Sequence, residues 1–178
     1  SVLEKLGEGF VKKCRSLLQE PGISVVRDAQ IANHAAIIHA LHDPTEGGLA
    51  TGLPELAAAA RLGTLGEMER ISILPETALL CQELRLDPLG LIASGALLIA
   101  APERETPKII AALHAAGIPA SRIGKFQEKE KGIKLMRRGQ VEDLPVFSRD
   151  EVARFFERET FATETTEKRN PQRLCVLC

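Results

Sequence analysis

His42-Asp43-Pro44-Thr45-Glu46-Gly47-Gly48-Leu49-Ala50 is the stretch that decides how this 178-residue sequence folds. Before it, Ala36-Ile37-Ile38-His39-Ala40-Leu41 predicts a short buried strand. After it, Leu49, Leu53, Leu56 and Ala60 recur at helical spacing, so a helix is expected from Gly47 to about Arg61. Pro54 removes one backbone hydrogen bond inside that helix and predicts a kink. A strand therefore feeds a tight turn, and two glycines open a helix. Free N–H groups at a helix start, helped by the helix dipole, attract anions, and glycine lets an anion approach the backbone closely. Asp43, Thr45, Glu46, Gly47 and Gly48 are thus candidate ligand- or phosphate-binding residues. Asp43 or Thr45 would cap the helix, meet a ligand hydroxyl or meet a metal, while the charge on Glu46 repels an anion unless it turns away or finds a cation. The plain alternative is a strand–turn–helix with Asp43 as a local turn residue, because Gly-Gly turns are common.

Outward from this point the pattern alternates irregularly. Leu3, Leu6, Phe10, Cys14, Leu17 and Leu18 mark an amphipathic first helix that Pro21-Gly22 stops. Met68 to Ile73 reads as a strand, Pro75 opens a helix to about Leu84, and Leu97 to Ala101 is a buried strand. Thr106 as N-cap and Pro107 at the first helical position start a helix that Gly117 ends. Strands near Ser121–Phe126 and Gly132–Arg137 flank the charged stretch Gln127–Lys131, expected as a hairpin turn. Ser148 and Glu151 form a capping box, with Phe147 and Val152 as hydrophobic staple, for a helix ending near Glu157. From Arg158 the sequence is polar and aperiodic. The expected class is α+β, with a mixed, largely antiparallel sheet and packed helices, residues 1–157 forming one domain and 158–178 a flexible tail.

Charge and composition exclude several classes. Lys plus Arg is 23 and Asp plus Glu is 24, a net charge of -1, unlike a dedicated nucleic-acid or anionic-membrane binder. All six aromatic residues are Phe, which leaves no Tyr or Trp platform for stacked bases. The longest uncharged run, Pro88 to Pro102, is shorter than the roughly 20 residues that span a bilayer. No basic segment followed by an apolar run opens the chain, so no signal peptide is read, and the start at Ser1 is compatible with a piece of a longer protein. Four scattered cysteines do not make a secreted disulfide framework. A cytoplasmic protein is expected, with no nucleic-acid and no membrane partner.

Asp43-Pro44-Thr45-Glu46-Gly47-Gly48-Leu49-Ala50-Thr51 resembles the signature that opens the C-terminal domain of the aminoimidazole ribonucleotide synthetase superfamily. Leu86-Asp87-Pro88-Leu89, followed by Ser94-Gly95-Ala96-Leu97-Leu98-Ile99, resembles a second block of that superfamily. The similarity spans about residues 10–147 and is nearest to the hydrogenase-maturation proteins of the E type, the carbamoyl-cysteine dehydratases. It implies an ATP-dependent enzyme of two domains, using ATP and Mg2+ in the full-length protein and forming a homodimer through an N-terminal, ATP-binding domain. This chain matches only the C-terminal, substrate-side domain, so by resemblance it is catalytically incomplete and carries no cofactor alone. Ser94 and Gly95 join the candidate ligand residues on the same ground.

Two departures and one further likeness bear on the subfamily. Hydrogenase-maturation relatives usually carry Arg where this chain has Glu46, and an Asn-Glu-Gly-Lys block where it has Ala93-Ser94-Gly95-Ala96. The two missing cations would neutralise phosphate-type groups, and the Ser94-Gly95 form more resembles related, unassigned members of the synthetase superfamily. The tail, Asn170-Pro171-Gln172-Arg173-Leu174-Cys175-Val176-Leu177-Cys178, resembles the Pro-Arg-Ile-Cys end whose terminal thiol carries the reacting group in those relatives, and overshoots it by three residues. Cys175 or Cys178 is the candidate tail thiol, against incidental cysteines, half a zinc site or a prenylation box.

Weaker candidates take ordinary roles. His39 and His42 differ in strand parity and would face opposite sides, so no metal site is expected with His34. Lys125 to Arg138 holds six basic residues diluted by Glu128 and Glu130, the pattern of a solvated hairpin. Cys14 and Cys81 fall in apolar helical stripes as small core residues. Two functions follow: the substrate-side domain of an ATP-dependent enzyme, or a non-catalytic binding or assembly module that retains the fold.

Overall fold

The computed structural model describes residues 2–157, with side chains from Glu4 onward. Cys175, Cys178 and the expected tail lie outside the described residues. The helices are α1 (Val2–Ser16), α2 (Val26–Ala35), α3 (Gly48–Ala60), α4 (Pro75–Leu84) and α5 (Thr106–Ala115). The strands are β1 (Ala40–His42), β2 (Gly63–Glu67), β3 (Leu98–Ala100), β4 (Gly124–Gln127), β5 (Ile133–Arg137) and β6 (Gln140–Asp143). A last helical segment covers 151–157.

β1 and β3 form an antiparallel pair with Leu41 opposite Ile99. The other four strands form a sheet in the order β4-β2-β5-β6. β2 runs antiparallel to β4 and parallel to β5, and β5 and β6 are antiparallel. The class is therefore α+β with a mixed, largely antiparallel arrangement, as the sequence predicts.

Several local expectations are corrected. Gln127–Lys131 is not a hairpin turn, because β2 lies between β4 and β5 and pairs with both. The hairpin is β5–β6, closed by Arg138 and Gly139 at φ 51° and 77°, the paired positive angles of a two-residue turn. The strand expected at Met68–Ile73 sits upstream at Gly63–Glu67, and Met68–Arg70 is a 3-10 turn. Gly63 of β2 and Gly124 of β4 are dictated by crowding. A Cβ on Gly63 would meet the Gly132 carbonyl oxygen at 2.4 Å, and one on Gly124 would meet that of Leu65 at 2.4 Å. The strand expected over Ala36–Leu41 shrinks to Ala40–His42, because α2, unforeseen, occupies the chain up to Ala35. Around α5, Glu105 rather than Thr106 is the N-cap, since a 3-10 turn at Glu103–Glu105 already carries the backbone into helical geometry.

Two apolar clusters hold these pieces together. Ala50 and Leu53 of α3 meet Leu89, Leu98, Leu135 and Leu144. Ala32 of α2 meets Ile109 and Leu113 of α5, with Ile38 and Ile99 beside them. At roughly 2 kcal/mol per fully buried aliphatic side chain, the first cluster supplies the main drive that fixes α3 across the sheet, and the second packs α2 on α5. α1 breaks at Gly7, whose φ of 79° and ψ of 163° are not helical. Its second half is tied to α4 by the ion pair of Lys13 with Glu76, and Lys5 lies 3.2 Å from Glu83.

Candidate functional site

α3 starts where it does because Gly47 takes a left-handed φ of 72° and Gly48 follows at 57°. Pro44 beneath the turn is fully buried, and a Cβ on Gly52, one turn into α3, would lie 2.9 Å from Pro44 Cβ. The turn is thus pressed onto its own helix. It is also pressed onto the second sequence block: a Cβ on Gly48 would fall 2.1 Å from the Leu91 carbonyl oxygen and 2.8 Å from that of Leu89. The Thr45 carbonyl accepts from Gly48 N–H at 3.0 Å and from Ala93 N–H at 3.2 Å. Two motifs more than forty residues apart in sequence are therefore one structural unit.

The candidate residues divide into two groups. Asp43, Thr45, Glu46, Ser94 and Gly95 are exposed, while Gly47 and Gly48 are buried. Both glycine amides are engaged within the protein: Gly48 N–H by the Thr45 carbonyl, and Gly47 N–H by Asp150 Oδ2 at 2.9 Å. As it stands, the turn presents the side chains of Asp43, Thr45 and Glu46, with Ser94 on the adjoining loop, rather than a pair of free amides. Gly95 has a φ of 97° and packs on the chain at Ile23, where an added Cβ would lie 3.3 Å from the Ile23 Cα.

Asp150 is the residue that the sequence reading missed. Its Oδ1 accepts from Val152 N–H at 2.8 Å, so it caps the last helical segment in place of Ser148. Asp, Asn and Ser all make good caps; Asp150 prevails here because its second oxygen also reaches Gly47. Its neighbour Glu151 is 2% exposed, accepts from Asp87 N–H at 2.8 Å and pairs with Arg154. Glu151 raises the Arg154 pKa further above its ordinary value by hydrogen bonding. Phe147 covers Gly90, where a Cβ would lie 2.7 Å from its ring. The segment after β6 is in this way fastened over both motif loops. Phe147 packs into the core, against the cluster around Leu89.

Other side chains keep ordinary roles. His42 Nε2 lies 2.9 Å from Glu55 Oε2. Cys81 is buried, and burial, then the nearby Asp87 and Glu151 charges, push its thiol pKa up. Among the described residues no group of three or more His, Cys, Asp or Glu side chains is placed to hold a metal ion. These residues do not by themselves fit the magnesium that the resemblance implies. No helix among them is long and apolar enough to cross a membrane.

The mixed sheet, the glycine-opened α3 and the loop packed against it define a domain class that comparison with known proteins identifies. Residues 11–135 match the family model described as AIR synthase related protein, C-terminal domain, and the chain belongs to that family. Among its relatives, carbamoyl dehydratase HypE of Rhizobium leguminosarum bv. viciae is 36% identical over 96 residues, covering 53% of this chain and 27% of the relative. The HypE of Rhodobacter capsulatus is 36% identical over 111 residues, covering 61% of this chain and 33% of the relative. The chain thus spans about a third or less of the length of these curated relatives. The crystal structure of E. coli HypE, a hydrogenase maturation protein, superposes with a TM-score of 0.66 at 28% identity, over 74% of this chain and 42% of that one. A HypE solved in complex with ATP gives 0.63 at 26% identity, over 75% and 47%.

Proposed function

We propose that this chain is the C-terminal, substrate-side domain of an ATP-dependent enzyme of the carbamoyl dehydratase kind. It acts in the cytoplasm together with an ATP-binding domain that also forms the homodimer, and residues 1–157 are its folding unit. The observation that carries the reading is the union of the two motif loops, with Thr45 bonded to Ala93 and Gly48 seated on Leu91. A ligand approaching that rim meets the Thr45 and Ser94 hydroxyls and the Asp43 and Glu46 carboxylates, with Gly47 and Gly48 setting the shape. The Gly47 amide joins them when Asp150 withdraws. ATP and Mg2+ are the partner domain's cargo, in keeping with the likeness to a relative solved with ATP. The thiol of Cys175 or Cys178 would serve as the carrier of the reacting group, since a thiolate is a good nucleophile.

An ATP hydrolysis assay on the purified chain tests the incompleteness. The expected result is no turnover above buffer. Steady turnover that a substitution inside the chain abolishes would overturn it. The alternative, a non-catalytic module, draws on the same engaged amides: with Gly47 and Gly48 both bonded internally, the turn is at rest without any ligand.

A further inference from the structure

A concavity of about 540 Å3 opens between the end of α4, the end of β5 and the last helical segment. Met68, Leu86 and Phe147 give it an apolar wall, and Arg85, Arg137 and Arg154 line it from those three separate elements. The two carboxylates at its edge are already committed. Asp87 Oδ1 accepts from Leu89 N–H at 2.9 Å. Glu151 holds Asp87 N–H and Arg154, and Arg154 Nη2 also donates to the Arg85 carbonyl at 3.3 Å. Arg154 is therefore a strut. Arg85, at the left-handed end of α4 with φ 56°, has an exposed side chain with no ion-pair partner among the described residues. Arg137 Nε lies 3.1 Å from Glu142 Oε1, but it is sealed from solvent and not aligned for a hydrogen bond to it. Arg85 thus brings an uncompensated charge to the cleft, and an anion there would meet it together with the Arg137 guanidinium.

We propose that this cleft binds a phosphate monoester, its phosphoryl group held by Arg85 and Arg137 and its organic part against Phe147, Leu86 and Met68. A phosphoryl group carries three acceptor oxygens and close to two negative charges at neutral pH. Two forked guanidinium groups match both the charge and the oxygens, whereas a carboxylate satisfies only one of them. This site is independent of the rim at Thr45 and Ser94.

Titrating the full 178-residue chain with phenyl phosphate, read by amide and arginine Nε–H resonances, tests the proposal. Shifts are expected at Arg85, Leu86, Arg137 and Phe147. Binding should weaken by about tenfold or more in R85Q and further in R85Q/R137Q, from the loss of charge-assisted hydrogen bonds. Benzoate, the carboxylate counterpart, should bind about tenfold or more weakly than phenyl phosphate. The single variant keeps the test valid if the double one does not fold. Undiminished binding in folded R85Q, benzoate binding as well as phenyl phosphate, shifts confined to the Gly47 turn, or no saturable shift would each overturn it.

Discussion

The Asp150 carboxylate bridges Gly47 and Val152, accepting the first amide at 2.9 Å and the second at 2.8 Å across 103 residues of chain. One side chain thereby starts a helix and holds the turn that starts another. A helix cap contributes about 1 kcal/mol, and a buried amide left without an acceptor costs about 1–3 kcal/mol.

Asp150→Ala is therefore expected to lower the unfolding free energy by about 2 kcal/mol. Asp150→Asn, which keeps one acceptor, should lose roughly half as much. Urea unfolding followed by circular dichroism measures both; equal stability of all three proteins would contradict the bridge.

Gly48→Ala places a Cβ 2.1 Å from the Leu91 carbonyl oxygen at a φ of 57°. Both the clash and the left-handed backbone oppose it, so a loss of about 3 kcal/mol or more is expected. Gly117→Ala is the control. It has a φ of 77° with nothing within 4 Å of the added Cβ, and should cost about 1 kcal/mol. Similar denaturation midpoints for the two variants would remove the close approach of the loops from the account.

Glu76 has its pKa lowered from 4.5, first by the hydrogen bond from Lys13. A carboxylate with a depressed folded-state pKa contributes stability that is complete above its unfolded value and is lost as pH falls through the folded one. Glu76→Gln should therefore destabilise the chain at pH 7 and much less at pH values below the folded pKa. Unfolding at pH 7 and in acid, wild type against variant, reads this directly. A gap between the two proteins that is unchanged in acid would contradict it.

Truncation after Glu157 should shift the thermal midpoint by no more than about 3 °C, because the apolar clusters among the described residues are complete before it. Loss of cooperative melting would place part of the folding unit beyond it.

What the sequence made legible follows from local signals. Pro75 and Gly117 punctuate α4 and α5 where the structure has their ends, because proline and glycine act on the backbone without help from tertiary contacts. The Gly47–Gly48 turn was equally plain. The rest depended on contacts distant in sequence. β2 carries two glycines in five residues, which weakens its strand signal, yet Gly63 is there because the chain at Gly132 and Glu128 approaches so closely. The insertion of β2 between β4 and β5 leaves no mark in either strand, so they read as a hairpin. β6 is exposed along its whole length and shows no alternation; only the Arg138-Gly139 turn signals it. For the site, Asp43, Thr45 and Glu46 are legible from the strand–turn–helix pattern and Ser94 and Gly95 through motif likeness, but Asp150 is hidden behind Ser148, an equally good local cap. Its second oxygen, reaching Gly47, is visible only in three dimensions.

The claim that the Asp43–Gly48 turn and the Ser94–Gly95 loop form one ligand-facing rim is tested most directly by titrating the 178-residue chain with inorganic phosphate while following its amide resonances. The account predicts weak binding, with shifts at Thr45, Glu46, Ser94 and Gly95, and a larger response at Gly47 in Asp150→Ser, which keeps a capping hydroxyl and frees the amide. Resonances of residues 45–48 and 94–95 that stay still in both proteins would contradict it, whatever shifts at Arg85 and Arg137.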